Sequence, residues 1–126
     1  MKYSKQREII IEYLRSVKTH PTAETIYEEV RKKDNKISLG TVYRNLDKLA
    51  FQGVIKRIKM ANEKDRFDGD VSCHYHGKCI KCNNVIDIFL KENIDLSIDE
   101  HVKNETNINV VSHDIIFNVI CPNCDK

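Results

Sequence analysis

Two C-x-x-C pairs, Cys79-Ile80-Lys81-Cys82 and Cys121-Pro122-Asn123-Cys124, stand 38 residues apart in a chain of 126. Each pair sets two thiols on one small turn, and two such turns supply the four tetrahedral ligands of a structural Zn²⁺ site. Disulfides and a redox dithiol are the other uses of such pairs. The compartment argues against both. No apolar run reaches the roughly 20 residues of a membrane span. The opening MKYSKQREIIIEYL scatters charges through its apolar positions and has no small-residue cleavage site, so a secretory leader is not expected. A cytoplasmic protein follows, and there thiols stay reduced. Cys79, Cys82, Cys121 and Cys124 are therefore expected to hold structural zinc. Between the pairs the pattern predicts a strand over 85–90, a helix around 94–102 and a strand through Ile115-Ile116-Phe117. The metal then clamps the terminal strand onto the first strand of its domain. A unit of about 60 residues has too thin a core to dispense with such a staple.

The formal charge of +2 conceals a division. Residues 1–66 carry 16 Lys+Arg against 9 Asp+Glu, and residues 67–126 carry 5 against 10. A basic half followed by an acidic, ligand-rich half suggests an anion-binding module joined to a sensing or assembly module. The expected domains are 1–66 and 67–126.

Helical periodicity marks three segments of the basic half. Ile9, Ile10, Tyr13, Leu14 and Val17 share one face of a first helix, with Ser4 as candidate N-cap. Ala23, Ile26, Tyr27 and Val30 repeat in a second, entered through Pro21-Thr22. Leu39, Val42, Leu46 and Leu49 repeat in a third, with Ser38 as cap and Gly53 just past its end. Residues 54–60 (VIKRIKM) alternate in part like a strand, and Arg66-Phe67-Asp68 suits the return strand. Three short helices and a basic hairpin make a winged helix-turn-helix, and the chain is read as α+β. With the apolar face of the third helix buried, Thr41, Tyr43, Arg44, Asn45 and Lys48 are expected on its other side. Arg and Asn suit base edges, whereas Tyr, Thr and Lys suit phosphates. Lys56, Arg57 and Lys59 on the wing add candidate phosphate contacts. A solvated helix face is the other explanation for these residues.

His74 and His76 alternate, so on a strand they face the same way and can share a metal. Asp68 and Asp87 fall on the neighbouring strands that the pattern suggests. A nitrogen and oxygen donor set is harder than the thiolate set and suits Fe²⁺, Mn²⁺ or Zn²⁺. Paired surface histidines are the alternative.

The run His20-Pro21-Thr22-Ala23, then Ser38-Leu39-Gly40-Thr41-Val42-Tyr43-Arg44-Asn45-Leu46, then Arg66-Phe67-Asp68, His74-Tyr75-His76 and the two C-x-x-C pairs resembles the ferric uptake regulator (Fur) superfamily. The likeness runs from about Ser4 to Cys124. It implies a homodimeric, metal-dependent repressor that binds operator DNA, with an N-terminal winged helix and a small C-terminal α/β dimerisation domain. Within the superfamily the chain looks most like the peroxide-sensing (PerR) branch. That likeness implies a regulatory Fe²⁺ or Mn²⁺ held by His20, Asp68, His74, His76 and Asp87. It also implies that peroxide inactivates the repressor by iron-catalysed oxidation of His20 and His74. Iron-sensing relatives usually carry Glu where this chain has Asp68 and Asp87. A repressor responding to iron or another metal without sensing peroxide is the alternative.

Some positions depart from the family pattern. The additional N-terminal helix of many relatives is expected to be missing or much shortened. Cys73 stands where relatives often have His or Asp, and is expected to be a buried or spare thiol. Tyr75 replaces an Asp that serves a further metal site in some iron sensors, to which His113 would be another ligand. His101 is assigned no role. With no HExxH or G-x-S-x-G motif, an enzyme is not expected.

Overall fold

The computed structural model describes residues 2–72, 74–92 and 94–126, with the side chains of 2–4 left out, so Cys73 lies outside the described residues. The chain forms two compact units, Met1–Ser72 and Cys73–Lys126. Unit 1 contains α1 (Lys2–Ser16), α2 (Ala23–Val30), α3 (Leu39–Phe51), β1 (Lys56–Ile58) and β2 (Arg66–Asp68). Unit 2 contains β3 (Tyr75–Cys79), β4 (Val85–Ile88), α4 (Asp95–Thr106) and β5 (Phe117–Val119).

The three helices of unit 1 close on the aliphatic face that their periodicity traces. Ile10, Leu14, Ile26, Val30, Val42, Leu46 and Leu49 are buried there, with Ile37, Ile55 and Phe67 closing the cluster. Two caps set the helix starts: Thr22 Oγ1 accepts from the Thr25 amide at 3.3 Å, and Ser38 Oγ from the Thr41 amide at 3.1 Å. Gly53, at φ 76°, takes the chain out of α3. The expected cap at Ser4 is corrected, because α1 already begins at Lys2. Val17 is likewise beyond α1, where Ser16 Oγ donates to the Tyr13 carbonyl at 2.7 Å and competes with another helical turn.

The hairpin is a two-stranded antiparallel ladder with Arg57 opposite Phe67. A bridge from Thr22 to Arg66 adds the entrance of α2 to its edge. Beyond β2, Gly69 runs against the backbone of α1. These contacts carry the first unit to Ser72, six residues past the expected boundary at 66.

Unit 2 has a three-stranded sheet in the order β4-β3-β5. β4 pairs antiparallel with β3, and β5 pairs parallel with it. The terminal strand therefore does lie on the first strand of its unit. It starts at Phe117, at the C-terminal end of the expected segment, because the register is set by Phe117 opposite Gly77 and Val119 opposite Cys79. α4 runs past the expected Val102 to Thr106, and stops where Asn107 adopts the left-handed conformation at φ 62°. Among the described residues of this unit, the buried apolar side chains are Tyr75, Cys79, Val85 and Cys121. Two of those are candidate metal ligands.

A Cβ on Gly69 would approach the Leu14 carbonyl carbon and oxygen at 2.8 Å. That is helix backbone, which cannot swing aside. Gly69→Ala is expected to cost about 1–3 kcal/mol, read as a lower urea midpoint at unchanged m-value.

Candidate metal centres and nucleic-acid face

Cys79 ends β3 and Cys82 follows on the turn into β4, while Cys121 and Cys124 lie on the turn after β5. Their four sulfurs are within 4.8 Å of one another, and Cys82 Sγ is 3.8 Å from Cys121 Sγ. Four thiolates at the usual Zn–S distance of about 2.3 Å in a tetrahedron are about 3.8 Å apart. The amides of Cys121, Cys82 and Lys81 hold the Cys79 thiol down at about 6. Cys124, hydrogen-bonded to the sulfurs of Cys121 and Cys82, is pushed up to about 12. Without a cation, this cluster resists the full ionisation its geometry invites. The donor set, spacing and electrostatics fit a structural Zn²⁺.

The His/Asp residues form one group in each unit. In unit 2, the β3–β4 register puts Asp87 directly opposite His76. Asp87 Oδ1 is 3.1 Å from His74 Nε2 and 3.2 Å from His76 Nε2, and the two Nε2 atoms are 3.1 Å apart. Donors about 2.1 Å from one ion and at right angles to each other are separated by about 3 Å, so these three fit one face of a coordination shell. His74 and His76 are buried. The Phe89 ring lies 5.0 Å from that of His74.

In unit 1, His20 is buried at φ 54°, immediately before Pro21. The antiparallel register through Thr22 and Arg66 continues to bring His20 opposite Asp68, and His20 Nε2 lies 3.3 Å from Asp68 Oδ2. Arg66 Nη1 donates to the His20 carbonyl at 3.2 Å. The amide of Asp70 donates to Asp68 Oδ1 at 2.9 Å, which orients the carboxylate with its other oxygen toward His20.

On α3, Tyr43, Arg44 and Lys48 are exposed and Thr41 is half-buried. Arg44 Nη2 donates to Thr41 Oγ1 at 3.1 Å. Asn45, expected beside them, is instead buried, and its Nδ2 donates to the Thr41 carbonyl at 2.9 Å. On the wing Lys56 is exposed. Arg57 is engaged within the protein: it pairs with Asp47, reaches Asp65 at 3.2 Å and stacks over the Phe67 ring at 5.1 Å.

Sequence reasoning left two residues without their structural roles. Tyr75 is buried, and its hydroxyl accepts from the amides of Ile94 at 2.9 Å and Asp95 at 3.2 Å, capping α4. His113 bridges two carboxylates, with Nδ1 2.8 Å from Asp99 and Nε2 3.1 Å from Asp95. Only the tertiary fold brings these pairs together. The Asp95 and Asp99 carboxylates raise the His113 pKa above its ordinary 6.5.

Replacing Cys121 with Ser should abolish stoichiometric zinc, read by metal analysis, and lower the far-UV circular dichroism of unit 2. A second expectation concerns pH. The folded state favours protonated His113, so the stability this lends is complete below pH 6.5 and fades as pH rises through the raised pKa. His113→Gln should flatten the fall of the thermal midpoint as pH rises above about 6.5.

The family model of the ferric uptake regulator family matches residues 1–126. The chain is 32% identical over 121 residues to the peroxide operon regulator of Bacillus subtilis, covering 96% of this chain and 82% of that protein. It is 31% identical over 121 residues to the peroxide-responsive repressor PerR of Staphylococcus epidermidis, covering 96% and 79%. Among solved structures, it is similar to the peroxide stress regulator of Campylobacter jejuni, with a TM-score of 0.76 at 30% identity over 98% of this chain and 91% of that one. The ferric uptake regulator Fur of Helicobacter pylori, whose structure is described as revealing three functional metal binding sites, gives a TM-score of 0.75 at 29% identity over 97% and 81%. The α+β fold, the four-cysteine cluster and a match along the whole chain agree: the chain belongs to the ferric uptake regulator family.

Proposed function

We propose that this chain is a cytoplasmic, homodimeric repressor whose binding to operator DNA depends on a regulatory Fe²⁺ or Mn²⁺ and is ended by peroxide. The observation that carries the reading is the donor chemistry of the two His/Asp groups in a member of this family. His74, His76 and Asp87 converge at coordination spacing, and His20 and Asp68 are a buried, oriented pair. Under the proposal all five ligate one ion. Because they come from both units, such an ion fixes the angle between the DNA-binding and dimerisation domains. A dimer so fixed can present two α3 helices to half-sites about one DNA turn apart. Metal and DNA then favour the same state, and each tightens the other's binding.

The winged helix contributes Thr41, Tyr43, Arg44 and Lys48 to the DNA face, with Lys56 from the wing. Asn45 supports Thr41 from within the helix, and Arg57 ties the wing to α3. For the dimer interface, unit 2 offers Leu96 and Ile98 on α4, 69% and 37% exposed, with Ile108 and Val111 beyond it at 61% and 99%. No residue of α4 is buried within the chain. Apolar surface of this extent on a small unit suits a second copy. No described helix is long and apolar enough to cross a membrane.

Bound Fe²⁺ would activate H₂O₂ for O–O cleavage beside the ligating imidazoles, with the oxidised ring giving up, in net, the two electrons that peroxide accepts. His20 and His74 are the expected targets, each gaining one peroxide oxygen at a ring carbon while the other oxygen leaves as water.

Two measurements test the reading. With wild-type protein, Mn²⁺ should tighten binding to a palindromic duplex from the protein's own upstream region by at least about tenfold, and His20→Ala should remove that dependence. Equal binding by His20→Ala with and without Mn²⁺, both at wild-type strength, would show that no such latch exists. Anaerobic Fe²⁺-loaded protein given H₂O₂ should show +16 adducts on peptides containing His20 or His74. If neither appears and DNA binding survives, the protein is a metal-responsive repressor that does not sense peroxide.

A further inference from the structure

Glu24 places a carboxylate at the edge of the surface that is proposed to meet phosphates. A negative charge there opposes DNA by simple repulsion, so its contacts matter. Glu24 Oε1 accepts from the hydroxyl of Tyr43 on α3, and Oε2 lies 2.8 Å from Lys64 Nζ on the hairpin turn. One carboxylate from the first turn of α2 thus links α3 to the wing. The three groups border a cavity of about 150 Å³ together with Arg57, Asp65 and Phe67. Arg57, which borders that cavity, also joins the wing to Asp47 on α3. The bonds to Lys64 and Tyr43 lower the Glu24 pKa, and Glu24 in turn raises those of Tyr43 and Lys64. The carboxylate therefore stays ionised and the phenol protonated across the working range.

We propose that Glu24 is a positioning residue for DNA recognition, fixing the Tyr43 hydroxyl and the Lys64 ammonium so that α3 and the wing meet the duplex in one register. Tyr43 remains 40% exposed at the face where Arg44 and Lys48 emerge. Its ring needs only two torsions set, and the bond to Glu24 sets the far end. A phosphate contact that is fixed before encounter carries register, whereas one from a swinging side chain supplies charge alone. Glu24 thereby exchanges non-specific attraction for discrimination between sites.

The inference rests on the DNA-binding reading and separates from it by experiment. A duplex is selected from a random-sequence pool by the Mn²⁺-loaded wild-type protein, and its affinity is compared with that of a scrambled duplex of equal length. Glu24→Ala should lower the ratio of selected to scrambled affinity by about tenfold while leaving scrambled binding equal or tighter. Glu24→Gln, whose amide oxygen still accepts from Tyr43, should keep most of the ratio. In a Tyr43→Phe background, Glu24→Ala should reduce the ratio by a smaller factor than it does in the wild type. Equal tightening of both duplexes by Glu24→Ala would reduce the carboxylate to a repulsive charge and overturn the proposal. So would an unchanged ratio, or a ratio that falls equally in the Gln variant. If the wild-type protein itself selects no duplex over scrambled DNA, the DNA-binding reading fails first. Matching circular dichroism and thermal midpoints of the Ala variant, the Gln variant and wild type exclude misfolding as the cause.

Discussion

Four sulfurs held within 4.8 Å of one another form the constraint on which unit 2 depends. Ionised together they repel, and protonated together they have no reason to converge, so a tetrahedrally coordinated dication is the counterpart that the cluster calls for. The consequence extends beyond the four ligands. Cys79 ends the central strand, and Cys121 follows the strand that pairs parallel with it. A parallel pair joined by a long crossover has a high loop-closure cost, which a metal bridge at its end offsets. The same central strand begins beside His74 and carries His76. Only two residues separate His76 from Cys79, so the thiolate cluster also holds the strand that aligns His76 with Asp87.

Unit 1 is stabilised in a different way. Its aliphatic core closes without ionic help, which frees its charged residues for the surface. They are not left as a uniform basic coat. Glu24, Asp47 and Asp65 each engage a group on or near α3 and the hairpin. The positive balance of residues 1–66 is therefore an excess over an acidic scaffold that fixes where part of the positive charge points.

Much of this was legible in the chain because it depends on local periodicity or spacing. The aliphatic repeats give α1, α2 and α3, the caps at Thr22 and Ser38 mark two of their starts, and the C-x-x-C pairs gather as their chemistry requires. Polarity points Asn45 toward solvent, and the fold buries it. Val42, Asn45, Leu46 and Leu49 form an i, i+3, i+4, i+7 series, so position already placed Asn45 on the buried face, and the Thr41 carbonyl satisfies its amide there. The ion pairs of Arg57 are not legible locally, because its partners lie eight and ten residues away, in a turn and a helix that only the fold brings together. Glu24 and Lys64 belong to the same class. Nothing local to either residue indicates that a tyrosine nineteen positions after Glu24 shares its carboxylate.

Tyr75 shows how one short motif can serve two faces of a strand. Alternation sends His74 and His76 to one side and Tyr75 to the other. The residue preceding α4 makes no side-chain cap of its own, and the Tyr75 hydroxyl fills that role for the amides of Ile94 and Asp95. An Asp at position 75 would be too short to reach where the phenol reaches. The Asp95 and Asp99 carboxylates beyond it are already occupied by His113. The helix start and the loop bearing His113 are thereby tied to β3, the strand that carries His76. In this chain, a residue that could have supplied another metal donor connects α4 to the sheet instead.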